Sequence, residues 1–402
     1  MSSKIIERTA YLAKLDSYRK NRDLVKVITG VRRCGKSELM RQFRQHLISD
    51  GVPEDSIIHI DLERRRYVID SERMLYETIR NCIKGNDCYV LLDEVQLVKG
   101  WERVVSTIRN EFDADVYVTG SNSKMLSDEL GTNLTGRYVT VHILPFSFTE
   151  FLNRYPVDTE HGYMQRLEEY ILWGGMPILD LDDDPEKNLT ILSSIYDSIV
   201  NHDIRPRVEM DQGILDNITA FMLSNTGNLT SMNKLATGAY VNDPRTVERY
   251  LAELERCFLF YRADRYDIVG SKHLRTNAKF YPVDTGMVGA ILYGRDVNMS
   301  ALLESVVFIE LVRRGYRVSV GSFKGKEIDF TAWKSDGAVE FYQVCIRIDD
   351  RKTLDRELAP FRNMEKGHRK VLILMDCHET PEVPEDVECI GAAEWLMQYP
   401  RL

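Results

Sequence analysis

Long apolar runs are missing from this 402-residue chain; the longest, such as Val371-Leu-Ile-Leu-Met375, hold five residues. A membrane-crossing helix needs roughly 20, so no spanning segment is expected. The first ten residues, Met-Ser-Ser-Lys-Ile-Ile-Glu-Arg-Thr-Ala, lack the apolar stretch of a secretory signal, which predicts residence in the cytoplasm. Cysteine is sparse: seven residues, an odd number, lie between Cys34 and Cys389 with no CxxC pair and no His/Cys grouping at zinc spacing. Reduced thiols are the expectation. With 24 Gly and 12 Pro, collagen-like and low-complexity architectures are excluded. An excess of positive charge is absent too, since the net charge is −9. That argues against a surface coated with cations for non-specific DNA binding.

What is present fits a folded multidomain protein. Hydrophobic residues make up 44% and charged residues 29%, and at about 100–200 residues per domain the length predicts two to four domains. Charge is unevenly spread: residues 1–50 carry 12 Lys/Arg against 5 Asp/Glu, whereas residues 151–200 carry 3 against 10. A polyanion site near the N-terminus is compatible with that asymmetry.

From residue 24 to 145, β-branched runs alternate with amphipathic stretches. Leu24–Thr29, Ser56–Asp61, Cys88–Leu92, Asp115–Thr119 and Tyr138–Leu144 read as strands, and Lys36–Ile48, Glu72–Ile83 and Trp101–Phe112 as helices. Such alternation implies a parallel sheet with helices on its faces. Residues 146–208 read as mainly helical. Ile214–Leu223, Met232–Gly238 and Pro244–Leu254 then form three short helices before the strand-like Cys257–Tyr266 and Lys279–Val283, an order that suits a winged helix. A helix at Ser300–Arg314 and strands at Arg317–Gly321, Glu327–Trp333, Glu340–Ile346 and Val371–Met375 make a further α/β domain.

The chemistry is concentrated in Gly30-Val31-Arg32-Arg33-Cys34-Gly35-Lys36-Ser37, which matches G-x-x-x-x-G-K-[ST] between a strand and a helix. Its glycines let consecutive N–H groups converge on phosphate oxygens while the helix points its positive end at the same anion. Lys36 then reaches the β/γ-phosphates and Ser37 ligates Mg²⁺. A second strand ends in Leu92-Asp93-Glu94; Asp93 is placed to hold the metal and Glu94 to activate the attacking water. Thr119, Ser121 and Asn122 close a third strand, as candidates to sense the γ-phosphate or, for the last two, to cap a helix. Arg137 is a candidate charge-stabilising finger, in cis or from a neighbouring subunit, or else a salt-bridge partner.

At this point the chain resembles a large prokaryotic family of AAA-superfamily P-loop ATPases, related to the archaeal and STAND-type branch. The resemblance rests on Gly30–Ser37, Leu92-Asp-Glu-Val-Gln96 with Trp101-Glu102, Thr119-Gly-Ser-Asn122, Leu144-Pro-Phe-Ser-Phe148 with Glu150-Phe151, Gly174-Gly-Met-Pro177 and Lys279-Phe-Tyr-Pro-Val-Asp-Thr-Gly286. It implies ATP binding and hydrolysis, with Arg8, Tyr11 and Leu15 near the adenine; their spacing alone equally fits one face of a helix. It also implies an α/β fold of four parts: a P-loop core (1–150), a helical lid or connector (151–208), a winged-helix segment (209–290) and a restriction-endonuclease-like domain (291–402).

Nuclease chemistry of that last class needs a helix carboxylate, a strand Asp and an acid-x-Lys. Glu304 and Asp329 take the first two places, but Gln343-Val-Cys345 stands at the third. Gln343 is a neutral ligand and Cys345 carries no ammonium, so the site reads as degenerate; Lys324 and Lys326 are candidates to replace the missing charge. Arg245, Thr246 and Arg249 on the third winged-helix helix, with Lys272, Arg275 and Lys279 on the ribbon, are candidates to meet DNA. Three functions remain: an ATPase driving its C-terminal modules, a nucleotide-gated module that binds DNA or protein, and an ATP-regulated nuclease. A homo-oligomer is compatible with each.

Overall fold

The computed structural model describes residues 5–63, 69–85, 87–121, 136–205, 210–294, 297–364, 367–376 and 381–398. They divide into two units, one of residues 5–144 with 256–258, the other of residues 145–255 with 259–402.

The first unit is built on five parallel strands, β1 (Val25–Thr29), β2 (Ile57–Asp61), β3 (Tyr89–Asp93), β4 (Asp115–Gly120) and β5 (Tyr138–His142), in the order β2-β3-β4-β1-β5. Every residue of β1, β3 and β4 is buried, as expected where helices cover both faces of a parallel sheet. Helices Lys36–Ser49, Glu72–Cys82 and Trp101–Phe112 follow β1, β2 and β3. Val25, Val27, Val90, Leu92, Val116 and Val118 pack with Leu75, Ile79, Trp101, Val105 and Ile108 in one apolar cluster. Each such buried side chain contributes on the order of 1.5–3 kcal/mol. One polar pair interrupts this interior: Lys26 on β1 is bonded to Asp115 on β4, whose other oxygen accepts from the backbone N of Lys20 at 2.9 Å.

The second unit opens with three helices, Phe148–Arg154, Glu160–Trp173 and Pro185–Ser198. Ser147 and Glu150 cap the first reciprocally, with N–H···O distances of 3.2 and 2.8 Å. Helices Gln212–Ser224, Met232–Gly238 and Pro244–Arg256 come next. Then β6 (Phe260–Asp267) and β7 (Lys272–Pro282) form an antiparallel hairpin. β6 starts three residues later than its apolar run because Phe258 turns the chain at φ +58°. β7 starts seven residues earlier than expected because the polar stretch from Lys272 pairs back onto Asp267.

That hairpin does not stand alone. With β8 (Arg317–Phe323), β9 (Lys326–Trp333), β10 (Val339–Cys345), β11 (Arg369–Leu374) and β12 (Glu388–Gly391) it forms one seven-stranded mixed sheet, ordered β12-β11-β10-β9-β8-β6-β7. Helix Met299–Arg313 packs on it through Phe308, whose ring stacks on Tyr281 of β7 at 4.3 Å. No helix among the described residues is long and apolar enough to cross a membrane.

Candidate nucleotide site

The loop between β1 and its helix has the curl that the glycine spacing predicts. A Cβ on Gly30 would lie 2.3 Å from the Ile143 carbonyl oxygen, so only glycine fits. Gly35 caps the helix in the left-handed region at φ +104°, and Arg33 is also left-handed at φ +67°. Lys36, the first helical residue, is buried and donates to the carbonyl oxygens of Gly30 and Val31, both at 3.2 Å. Its Nζ lies 3.8 Å from Glu94 Oε1.

Asp93 and Glu94 meet this loop from the end of β3. Asp93 accepts hydrogen bonds from the hydroxyls of Ser37 and Thr119. Burial pushes its carboxyl above the ordinary range in spite of those two donors. The Thr119 oxygen in turn accepts from the Glu94 backbone N at 2.9 Å, so one buried hydroxyl on β4 fixes both acidic residues. Glu94 adopts φ +56°, ψ +50°, a conformation that non-glycine residues keep only where the surroundings impose it. Gln96, two residues on, donates through Nε2 to Glu94 Oε2 and, at 3.3 Å, to Ser121 Oγ.

The residues upstream of β1 hold the loop from behind. Arg8 is 2% exposed and donates to the carbonyls of Cys34 (3.1 Å) and Leu144 (2.8 Å). Tyr11 is buried with its hydroxyl accepting from the Leu144 backbone N at 3.2 Å, and Leu15 is fully buried. The Cys34 thiol lies against the Ile143 carbonyl oxygen, 3.8 Å away, and burial raises its pKa, the state of an unreactive thiol. Arg32 reaches Glu63 at 3.3 Å. Arg137 is exposed at the start of β5, its carbonyl accepting from the Val25 backbone N at 2.9 Å; this is the end of β1 opposite the loop, so Arg137 does not act on this site in cis. Asn122 lies outside the described residues.

In the second unit, Glu304 and Asp329 do converge, around a residue that the spacing argument assigned elsewhere. Lys279 of β7 is buried, with Nζ 2.8 Å from Glu304, 2.8 Å from Glu327 and 3.9 Å from Asp329. Burial disfavours its charge, but Glu304, Asp329 and Glu327 outweigh that and raise its pKa. Asp329 is pushed toward its neutral form by burial and by Glu304. Tyr281 adds a hydroxyl bond to Glu304 at 2.6 Å. Gln343 reaches Glu357 at 2.9 Å, and Cys345 carries its thiol to the Arg347 carbonyl at 3.3 Å. Lys279 therefore faces inward, not toward a nucleic acid, and it is Lys279, not Lys324 or Lys326, that brings an ammonium among these acids. Lys324 lies over the Phe323 ring, 5.4 Å from its centre.

Arg245, Arg249 and Lys272 are exposed and Thr246 half-buried; the Arg275 side chain lies outside the described set. Sequence reasoning missed Lys279 because it lies 25 residues from Glu304 on a segment with its own plausible role. Gln96 carried a signal only as part of the Leu92–Gln96 motif.

Residues 22–152 match the model of the AAA domain family, and residues 164–297 that of a domain of unknown function (DUF8612). The first match gives residues 22–152 an AAA-type domain, in keeping with the loop geometry at Gly30–Ser37. An uncharacterized protein of Haemophilus influenzae is 37% identical over 409 residues, 99% of this chain and 100% of that one, and the chain belongs to the same family. An uncharacterized protein of Methanocaldococcus jannaschii is 27% identical, with 85% of this chain and 79% of that one covered. Among solved structures, Aeropyrum pernix ORC1 in complex with DNA overlaps 78% of this chain and 95% of its own at a TM-score of 0.32 and 12% identity. The Thermotoga maritima RuvB Holliday junction branch migration motor overlaps 64% and 90% at 0.35 and 14%.

Proposed function

We propose that the chain is a Mg²⁺-dependent ATPase whose nucleotide state acts on the modules that follow its AAA domain. The observation that carries this reading is the convergence of Lys36, Ser37, Asp93, Glu94 and Thr119 in one bond network at the ends of β1, β3 and β4. In this reading the Lys36 ammonium leaves the Gly30 and Val31 carbonyls for the β- and γ-phosphates, and the loop N–H groups cradle the same oxygens. A hydroxyl and a carboxylate that already share a hydrogen bond form the hard-oxygen donor set Mg²⁺ prefers, so Ser37 and Asp93 fit the ion. Held there, Mg²⁺ would neutralise phosphate charge. Glu94 takes a proton from the attacking water. Tyr11 borders the adenine, with the buried Arg8 and Leu15 supporting it from behind; Arg137, at the end of β1 opposite the loop, acts only on the nucleotide of a neighbouring copy, and Asn122 keeps the role of γ-phosphate sensor.

The test is phosphate release from ATP by the full chain. Lys36→Ala is expected to abolish nucleotide binding. Glu94→Gln should retain ATP while turning over at least about 100-fold more slowly. Glu94→Gln at the wild-type rate would refute the assignment.

The exposure of Arg245 and Arg249 on helix Pro244–Arg256 favours a second reading. In it residues 209–290 act as a winged helix, and ATP gates capture of DNA while hydrolysis only resets the protein. Residues 151–208 then serve as lid. Affinity for duplex DNA measured with and without ATP across a salt series separates the two, since phosphate contacts leave a steep salt slope. DNA affinity that ATP leaves unchanged rules the second reading out.

Residues 291–402 are read as a restriction-endonuclease-like domain that does not cut. Gln343 puts a neutral amide where the third metal-binding acid belongs, and the Lys279 ammonium already fills the space among Glu304, Glu327 and Asp329 that a metal ion would take. Plasmid incubated with ATP and Mg²⁺ or Mn²⁺ should remain intact, and nicking lost in Asp329→Asn would overturn this reading.

A further inference from the structure

The Leu92–Gln96 motif contains a side chain that phosphate binding leaves unexplained. Gln96 lies on the single turn Val95–Leu97, which starts from the left-handed Glu94. That reversal brings side chains two residues apart to the same place, and the Gln96 amide nitrogen donates to Glu94 Oε2 and to Ser121 Oγ at 3.3 Å. The amide orientation follows from chemistry: rotated the other way, its oxygen would face a carboxylate. Both N–H bonds are thus committed, and the carbonyl Oε1 is buried with no hydrogen-bond partner among the described residues. A buried amide oxygen without a donor carries a desolvation cost, and native structures keep few of them.

We propose that Gln96 positions the attacking water, its Oε1 accepting one water hydrogen while Glu94 accepts the other. This deepens the ATPase reading and rests on it. Water has two hydrogens; two fixed acceptors hold both and leave a lone pair directed away from them, toward the γ-phosphorus. In the step itself the water oxygen bonds to the γ-phosphorus. The bond to the β–γ bridging oxygen breaks with its electron pair leaving on ADP. The proton facing Glu94 passes to that carboxylate, and the hydrogen steered by Gln96 stays on the phosphate product. An amide oxygen is far too weak a base to take a proton, so Gln96 orients and Glu94 accepts. Ser121 fixes the amide so that its free oxygen does not swing out of line.

The experiment measures kcat and KM for MgATP and calorimetric nucleotide affinity in the full chain, for wild type, Gln96→Leu, Ser121→Ala, Glu94→Gln and the double variant Glu94→Gln/Gln96→Leu. Gln96→Leu should lower kcat about 10- to 100-fold with KM and affinity within about twofold, the split expected of lost orientation. Ser121→Ala should move the same way by less. The double variant should be no slower than Glu94→Gln alone, because both changes remove one arrangement of water. Gln96→Leu turning over like an active wild type overturns this inference and leaves the ATPase reading intact. Gln96→Leu losing nucleotide affinity in step with kcat overturns it also, as that marks a structural role. A wild-type protein that binds MgATP without hydrolysing it overturns both.

Discussion

Replacing Asp284 by asparagine should flatten the dependence of stability on pH. Its carboxylate is buried and accepts from the backbone N of Gly175 at 2.7 Å and of Gly286 at 3.1 Å. Burial nevertheless pushes its pKa up to about 7 from an ordinary 3.8, against those bonds and the charge of Arg313. Between these two values the folded chain holds a proton that the unfolded chain has released. Its contribution to stability is therefore complete below about pH 4 and is lost as pH rises through 7. Three pH units at ~1.4 kcal/mol each set an upper bound of ~4 kcal/mol. Asparagine keeps one acceptor and loses the other, at ~1 kcal/mol, but does not titrate. Asp284→Asn should thus be ~1 kcal/mol less stable than wild type near pH 4 and up to ~3 kcal/mol more stable at pH 8, with the curves crossing between. Urea unfolding at several pH values reads this, and hydrogen exchange at the Gly175 and Gly286 amides reads it locally. Parallel wild-type and Asp284→Asn curves across the window would refute the burial argument.

Three further substitutions test local packing and capping, two in the first unit and one in the second. Lys26→Ala leaves the buried Asp115 without its ammonium partner in the β-sheet core and should cost ~3–5 kcal/mol, read as a lowered denaturation midpoint. Gly30→Ala puts a methyl group 2.3 Å from the Ile143 carbonyl and should abolish nucleotide affinity, measured by calorimetry, because the loop must open to admit it. Ser147→Ala removes one half of a reciprocal helix cap and should cost ~1 kcal/mol in chemical denaturation, with nucleotide affinity unchanged.

The first half of the chain was largely legible in its sequence. Its strands are short, apolar on both faces and separated by helices of ordinary length, so one periodicity marks each element, and the glycine spacing of the loop admits few other conformations. Asp93 and Glu94 were legible for the same reason, standing directly after Tyr89-Val-Leu-Leu92. What was not legible depends on partners far apart in the chain. Lys279 looked like a ribbon cation until the hairpin joined the larger sheet and turned it onto Glu304 and Glu327. The extension of β7 back to Lys272 has no apolar pattern and is fixed by pairing with β6. Thr119 read as a γ-phosphate sensor, but its hydroxyl also ties Asp93 to the Glu94 backbone, a bond visible only once β3 and β4 lie side by side.

Titration of MgATP into the full chain, beside Lys36→Ala, tests the central claim most directly. Saturable heat with the wild-type protein and none with Lys36→Ala is the predicted outcome. Heat absent from well-folded wild type, or equal in the two proteins, would contradict it.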